Sequence, residues 1–414
     1  MSIGYACRTA TGYHHDMRTC RKKNATPARL AELIGYNLGS LERMIDYNIE
    51  NGIRLYRISS DLVPFGSAPV NTLDWGALFA ADWQRIGEKI ARGGIRVSMH
   101  PGQYTVLNSL DEGVAARAAE DLAYHARVLD LLQTGISHRI VLHVGGAYGD
   151  RTRAMDRFAR RFRALEPTVR RRIVLENDDR IYHVAEVLGL GEKLGIPVVF
   201  DALHHRLNPP AEDPGALEWI TRCARAWGPA DGRQKIHYSQ QEPGRRDGSH
   251  TRTIRVTPFL AFWETLGSDP PDCMLEVKDK NVSALKCIHC TDPPFPGALR
   301  RDVARWDWAA GERGGRPALP AGESPAEAIR FYQTLEETLE APVQAALAAR
   351  IAEEIWETRL AAGAPEKGPA FHMNLTEYRE DRISREKLKR WLYREAVRQD
   401  RHDMLDSGYF WDVV

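Results

Sequence analysis

Eight side chains of this sequence carry the donor chemistry of metal ligands: His100, His143, Glu176, Asp201, His204, His237, His250 and Glu276. Any one of them alone is more often a satisfied core or loop residue than a ligand. Their positions make the case. His100, His143, Glu176 and Asp201 each end a short aliphatic run, His204 follows Asp201 by three residues, His237 and Glu276 lie within two further runs, and His250 sits in the loop after His237. Mixed imidazoles and carboxylates suit Zn²⁺, Mn²⁺ or Fe²⁺ better than Mg²⁺ or Ca²⁺, which favour all-oxygen shells. Eight donors exceed what one ion can use alongside a substrate, so two or three ions are implied, with Glu176, central in strand order, as the bridging carboxylate. Ions a few Å apart suit phosphodiester displacement, because they stabilise both the attacking and the leaving oxygen.

The elements that must position these residues are legible as eight runs: Ile3 to Ala6, Leu55 to Ile58, Ile95 to Met99, Ile140 to Leu142, Ile173 to Leu175, Pro197 to Phe200, Lys235 to Tyr238 and Cys273 to Val277. Amphipathic helical patterns alternate with them, such as Thr26 to Asn51 and Glu120 to Leu132. Eight strand–helix alternations over roughly 250 residues predict a closed (β/α)₈ TIM barrel, whose active site lies at the C-terminal ends of its strands. Buried there, Glu176, Asp201 and Glu276 would be costly without a neutralising cation.

Residues 1–290 are thus expected to form the barrel. Pro293, Pro294, Pro296, Gly311, Gly314, Gly315, Pro317 and Pro320 mark 291–323 as a linker, and 324–414 is expected to be a helical C-terminal extension. There Ser324-Pro325-Ala326-Glu327 has the form of a helix start. Helical patterns follow at Pro342 to Leu360 and Ser384 to Gln399, and the aromatics Trp356, Trp391, Tyr393, Tyr409, Phe410 and Trp411 suggest a packing module.

With 43% hydrophobic and 27% charged residues over 414 positions, the chain can bury a large core, and it shows no apolar run of membrane-spanning length and no signal-like start. A cytoplasmic location is expected, with no membrane association and a monomeric state. The six cysteines are too few for a disulfide framework, and Cys287-Ile288-His289-Cys290 is an isolated pair that reads as structural. A net charge of +1 leaves nucleic-acid binding to local basic stripes. Arg151, Arg153, Arg157, Arg160, Arg161 and Arg163 read as a solvated helix face, whereas Arg245 and Arg246, in the loop among the site residues, are the stronger candidates for DNA-backbone contact. His14, His15, His125, His138, His183, His289, His372 and His402 read as structural or surface residues. His205, beside His204, is open to either reading.

The motifs around the candidate ligands are long. Ser98-Met99-His100-Pro101-Gly102-Gln103-Tyr104, Leu142-His143-Val144-Gly145-Gly146-Ala147-Tyr148-Gly149, Leu175-Glu176-Asn177-Asp178-Asp179, Asp201-Ala202-Leu203-His204-His205, Lys235-Ile236-His237-Tyr238-Ser239 and Leu275-Glu276-Val277-Lys278 occur in this order. In them the sequence resembles the UV damage endonuclease family, over roughly residues 1–280. The resemblance implies a DNA repair endonuclease that incises 5′ to ultraviolet photoproducts in double-stranded DNA. It also implies that the eight residues hold up to three divalent ions, with Mn²⁺ favoured and Zn²⁺, Co²⁺ or Fe²⁺ as alternatives. Glu176 and Lys235 would be catalytic, Lys235 being a candidate carboxylated ligand. Gln103 and Tyr104 would probe the nucleotides opposite a lesion, with Tyr5 lining the same site; an already distorted base pair lowers the work of unstacking.

One position departs from the family pattern: many members carry histidine where Phe65-Gly66-Ser67-Ala68-Pro69 has Ala68. A sugar isomerase or epimerase on the same barrel is an alternative, although it gives Gln103-Tyr104 and Arg245-Arg246 no role. A protein that binds distorted DNA without cutting it is another, and metal restoration would separate it from an endonuclease.

Overall fold

Eight parallel strands pair in sequence order and close on themselves, β1 (Ile3–Cys7), β2 (Leu55–Ile58), β3 (Arg96–Met99), β4 (Ile140–His143), β5 (Ile173–Glu176), β6 (Val198–Asp201), β7 (Lys235–Tyr238) and β8 (Asp272–Leu275). The fold is a (β/α)₈ barrel. This computed structural model describes residues 1–10, 15–292 and 297–411. His14, Pro293, Pro294 and Pro296 lie outside the described residues.

The strands are short and aliphatic because both faces are covered, one by the helices and one by the barrel interior. Side chains alternate between those faces. Ala6, Leu55 and Met274 form one interior cluster and Val141, Val174 and Val199 another, all fully buried. Each such valine contributes on the order of 1.5–3 kcal/mol through the apolar surface it removes from water. Two residues further along the same strands, on the same face, stand Arg57, Glu276, His143, Glu176 and Asp201. Register fixes their adjacency: His143 pairs with Glu176 and Asp201 with His237.

The enclosing helices begin where their caps specify. Thr26 accepts a hydrogen bond from Arg29 N at the start of Pro27–Glu50, Asp111 caps Glu112–Leu131, and Asp150 caps Arg151–Ala164. The second of these starts eight residues before the sequence pattern placed it, at Glu112 rather than Glu120, because Asp111 supplies the cap and Gly113 to Ala119 offers no helix breaker beyond one glycine.

The chain divides into two compact units. The first holds Met1–Arg8, His15–Ile254 and Ala261–Ala284; the second holds Arg255–Leu260 and the described residues from Leu285 onward, together with Thr9 and Ala10. Within the second unit, the stretch expected to be a linker carries the helix Ala298–Gly311, which buries Leu299, Val303 and Trp306. Apolar residues at helical spacing outweigh the glycines and prolines around it. Ser324 caps Pro325–Glu340, and the Glu327 carboxylate accepts from the Ser324 hydroxyl and from Gly322 N. The pattern expected as one helix from Pro342 to Leu360 begins at Ala345 and ends in a π-helical turn, Trp356–Leu360. Trp356 stacks on Phe371 with centroids 4.9 Å apart and packs on Trp391 at 5.4 Å. Tyr409 and Phe410 join the same core, so the extension has its own hydrophobic interior.

Cys287 and Cys290 are both buried, and burial pushes the Cys290 thiol up to about 12. Among the described residues no helix is long and apolar enough to cross a membrane.

Candidate active site

The C-terminal rim of the barrel gathers the candidate ligands around one carboxylate. Glu176, at the end of β5, is almost completely buried. Its Oε2 lies 3.0 Å from His100 Nε2 and 3.3 Å from His143 Nε2, and its Oε1 lies 2.7 Å from His237 Nδ1 and 3.8 Å from His204 Nδ1. Glu276, just past β8, lies 3.4 Å from His237 Nδ1 and 3.7 Å from His250 Nε2. Asp201 Oδ1 lies 3.6 Å from His204 Nδ1.

Donor atoms within 4.8 Å of one another form three groups: His100, His143 and Glu176; Glu176, Asp201 and His204; Glu176, His237 and Glu276. Glu176 belongs to all three. His250 joins the last through Glu276.

Each donor is oriented by its neighbourhood. The His100 ring sets its Nδ1 3.2 Å from the Pro101 carbonyl, which directs Nε2 at Glu176. Asn177 exchanges two hydrogen bonds with the Asp201 backbone, and the Asn177 carbonyl faces His204 Nδ1 at 3.0 Å. Asp201 Oδ1 caps the short helix Ala202–Leu207 by accepting from His204 N, which fixes the three-residue spacing between them. His250 is carried by a β-bridge to Gln241. Such outer contacts orient ligands and set which nitrogen is available.

Several buried polar atoms of the candidate ligands have no hydrogen-bond partner among the described residues: His143 Nδ1, Asp201 Oδ2 and His237 Nε2. Buried groups are nearly always satisfied, and the unpartnered Asp201 Oδ2, together with the mixed imidazole and carboxylate donors around Glu176, fits divalent cations as the missing partners.

The electrostatics have the same sense. Burial raises Glu176, yet His237, His143 and His100 together hold it well below the usual carboxylate range. Glu276, likewise raised by burial, is brought well below that range chiefly by Arg57. Asp201 goes up, from burial and from the nearby charges of Glu176 and Glu276. Burial lowers His100 to about 4, whereas Asp201, Glu176 and Glu276 overcome burial at His204 and raise it to about 9. Three crowded carboxylates with two of their histidines displaced in opposite directions form a site of strongly perturbed groups, as functional sites commonly do. Lys235, entirely buried on the same face of β7 as His237, is lowered well below the lysine range by burial and by Arg96.

Gln103 and Tyr104 project from the turn after β3, and Tyr104 is 67% exposed. Arg245 and Arg246 are exposed at the tip of the loop between Gln241 and His250, a loop pinned by Gln241, which donates to Arg246 O and accepts from Gly248 N. Ala68 is partly buried in a tight turn, its N–H donating to Phe65 O, and Ser67 ties that turn to Asp121 at 3.1 Å.

Three readings of the sequence change. Tyr5 does not line the rim: it is fully buried between barrel and helix, its hydroxyl donating to Asn48 Oδ1 at 2.9 Å, because Ala6 faces the interior and the alternation turns Tyr5 outward. Arg157 and Arg161 are not a solvated face. They reach over the β3 loop, Arg157 Nε donating to Asn108 O at 2.8 Å and Arg161 to Leu107 O and Ser109 O at 2.9 and 2.5 Å. His205 resolves to a structural residue, packed on Phe200 with Nε2 3.4 Å from Asp213.

Arg57 is the site residue that the sequence reading missed. From β2 it donates to Glu276 Oε1 inside the barrel. A charged residue in the middle of Leu55-Tyr56-Arg57-Ile58 was the available signal, since a buried guanidinium requires a paired carboxylate.

Residues 3–292 match the model of a family described as UV-endonuclease UvdE. The chain is 38% identical over 291 residues to a UV DNA damage endonuclease of Clostridium perfringens (strain 13 / Type A), spanning 70% of each chain. It is 34% identical over 264 residues to one from Bacillus cereus (strain ATCC 10987 / NRS 248), which covers 63% of this chain and 82% of the relative. Among solved structures, that titled SacUVDE aligns with a TM-score of 0.65 at 35% identity, over 70% of this chain and 96% of the other.

Proposed function

The chain belongs to the UV-endonuclease UvdE family and is a DNA repair endonuclease; we propose that it hydrolyses the phosphodiester backbone 5′ to ultraviolet photoproducts in duplex DNA, with two or three divalent ions held at the barrel rim. The observation that carries this reading is the sharing of Glu176 by three donor groups. His100 and His143 would hold one ion with Glu176, Asp201 and His204 a second, and His237 and Glu276, with His250 beside them, a third. Mn²⁺ suits the mixed imidazole and carboxylate donors, with Zn²⁺, Co²⁺ or Fe²⁺ as substitutes. Bound there, such ions would supply Lewis acidity toward the phosphoryl group and an activated water near neutral pH.

The chain's own residues do the rest. Glu176 keeps the clustered histidines oriented, and its charge would offset that of bound cations. Arg57 holds Glu276 in place from the interior. Lys235, buried and without a partner for its Nζ among the described residues, would offer a further carboxylate as the carbamate formed with CO₂, with loss of a proton. Gln103 and Tyr104, exposed on the turn after β3, would enter a distorted helix, and Arg245 and Arg246, exposed on their loop, would bind phosphates.

The test is incision of a duplex bearing one defined photoproduct, in Mn²⁺ and in chelator. A single cut 5′ to the lesion that requires metal and is absent from the undamaged duplex is expected. Metal-independent cutting, or equal cutting of both duplexes, would remove the reading.

A further inference from the structure

The loops that follow β3 and β4 are built alike. Each begins at a candidate ligand, His100 or His143, and each presents one exposed tyrosine, Tyr104 at 67% and Tyr148 at 44%. In each, the ring lies over the backbone of a glycine two residues earlier. A Cβ on Gly102 would fall 2.4 Å from Tyr104 Cε1, and one on Gly146 would fall 2.8 Å from Tyr148 Cζ. Glycine at both places is therefore what lets the rings take these positions.

The β4 loop is held in a conformation that most residues resist. Gly145 and Gly149 have φ of +106° and +79°, and Tyr148 itself sits at +50°, an uncommon conformation for a bulky side chain. Three fixtures maintain it. Asn108, on the β3 loop, accepts from Gly146 N and donates to Gly146 O at 3.2 and 2.8 Å; Tyr182 donates to the same carbonyl at 3.1 Å; and the Arg157 guanidinium lies 5.3 Å from the Tyr148 ring centroid. Arg157 also binds Asn108 O, so one side chain grips both loops. Contacts with Gly146 and Arg157 cover one side of the Tyr148 ring, yet the strained backbone leaves 44% of the residue in solvent, more than packing alone calls for. Its use is a pre-ordered stacking surface, since a ring already fixed in place loses little freedom on binding.

Resting on the endonuclease reading above, we infer that Tyr148 is a second base-stacking residue, which engages a nucleotide left unstacked by the lesion, and that Asn108 and Arg157 hold it in register with Tyr104. Bases offer π-faces to such rings irrespective of sequence.

Tyr148→Asn tests this without adding strain, because asparagine tolerates positive φ; Tyr148→Phe keeps the ring. Affinity is measured by fluorescence anisotropy in Ca²⁺ with a photoproduct duplex and its undamaged counterpart. In parallel, 2-aminopurine is walked along the nucleotides flanking the lesion on both strands. The Asn variant is expected to bind the damaged duplex about tenfold more weakly, within the usual worth of one stacked base, and the undamaged duplex about equally well. The Phe variant is expected to match wild type. At one position 2-aminopurine emission should be quenched by wild type and Phe and released by Asn, with Mn²⁺ content and melting temperature unchanged in all three. If wild type discriminates the lesion but no probe position responds to Tyr148→Asn, or if the loss is the same on both duplexes, the inference is overturned. A fall in metal content or melting temperature that accounts for the loss would make Tyr148 a strut of the loop and would overturn it equally. Failure of wild type itself to discriminate the lesion overturns the endonuclease reading instead.

Discussion

Glu176 and His237 stand on strands two apart in the barrel, β5 and β7, yet Glu176 Oε1 lies 2.7 Å from His237 Nδ1. The carboxylate reaches across β6 while its other oxygen faces His100 and His143. It is thus the common member of the cluster, and Glu176→Gln should be far more damaging than its size suggests. The amide keeps the shape but loses the charge, and it turns an NH₂ toward the donors. Incision of a photoproduct duplex is expected to fall at least about 100-fold with the circular dichroism spectrum unchanged. Near-normal cutting would exclude a shared bridging carboxylate.

Tyr104 is exposed on a turn whose ring position depends on Gly102, and its side chain enters none of the three donor groups. Tyr104→Ala should therefore weaken binding to damaged duplex by about 1–3 kcal/mol, the ordinary worth of a stacked aromatic, while bound Mn²⁺ stays constant. Parallel anisotropy and metal analysis check both halves. An equal loss on undamaged DNA would make Tyr104 a general contact.

The fold and the cluster were legible because both follow from simple periodicities. Aliphatic runs alternating with amphipathic helices define the barrel, and its strand ends select His100, His143, Glu176 and Asp201 out of many polar residues. The same alternation, applied to β1, would have turned Tyr5 away from the rim once Ala6 was assigned to the interior. Arg57, Asn177 and Arg157 were less accessible. Their importance lies in contacts with residues distant in sequence, Glu276, Asp201 and Asn108 respectively, and no local pattern distinguishes an arginine that clamps a loop carbonyl from one that faces water. The helix Ala298–Gly311 was obscured by the glycines and prolines around it, which mark chain direction changes without excluding a helix between them.

At the other end of the barrel, His138 Nδ1 accepts from Val97 N at 3.0 Å, and burial, with Arg96, Lys235 and Arg172 nearby, lowers the ring from 6.5 to about 4. The unfolded chain takes up this proton near 6.5 and the folded chain only near 4, so stability should decline as pH falls through that window and be level above it. His138→Asn, which keeps a polar side chain without the titration, is expected to recover on the order of 1 kcal/mol of the loss between pH 7 and pH 5. Urea melts of both proteins at the two pH values measure it. Parallel pH dependences would show that this ring does not contribute to the decline.

The Ala68 side chain offers neither an imidazole nor a hydrogen-bond donor, in a turn fixed to the Glu112–Leu131 helix through Ser67 and Asp121. The donor groups around Glu176 are complete without it, so cutting should not depend on a ligand from this turn. If the turn faces the cluster, an imidazole at 68 would add a further donor to it. Ala68→His should then lower the Mn²⁺ concentration for half-maximal incision about threefold or more, a modest gain for one added ligand, without changing which strand is cut. The variant requires little backbone adjustment, since position 68 is only partly buried. Manganese titrations of both proteins on one lesion-bearing duplex decide the matter. Superimposable curves from a folded variant would mean that the second-strand loop does not reach the metal cluster in this protein and that its Ala68 is a neutral replacement.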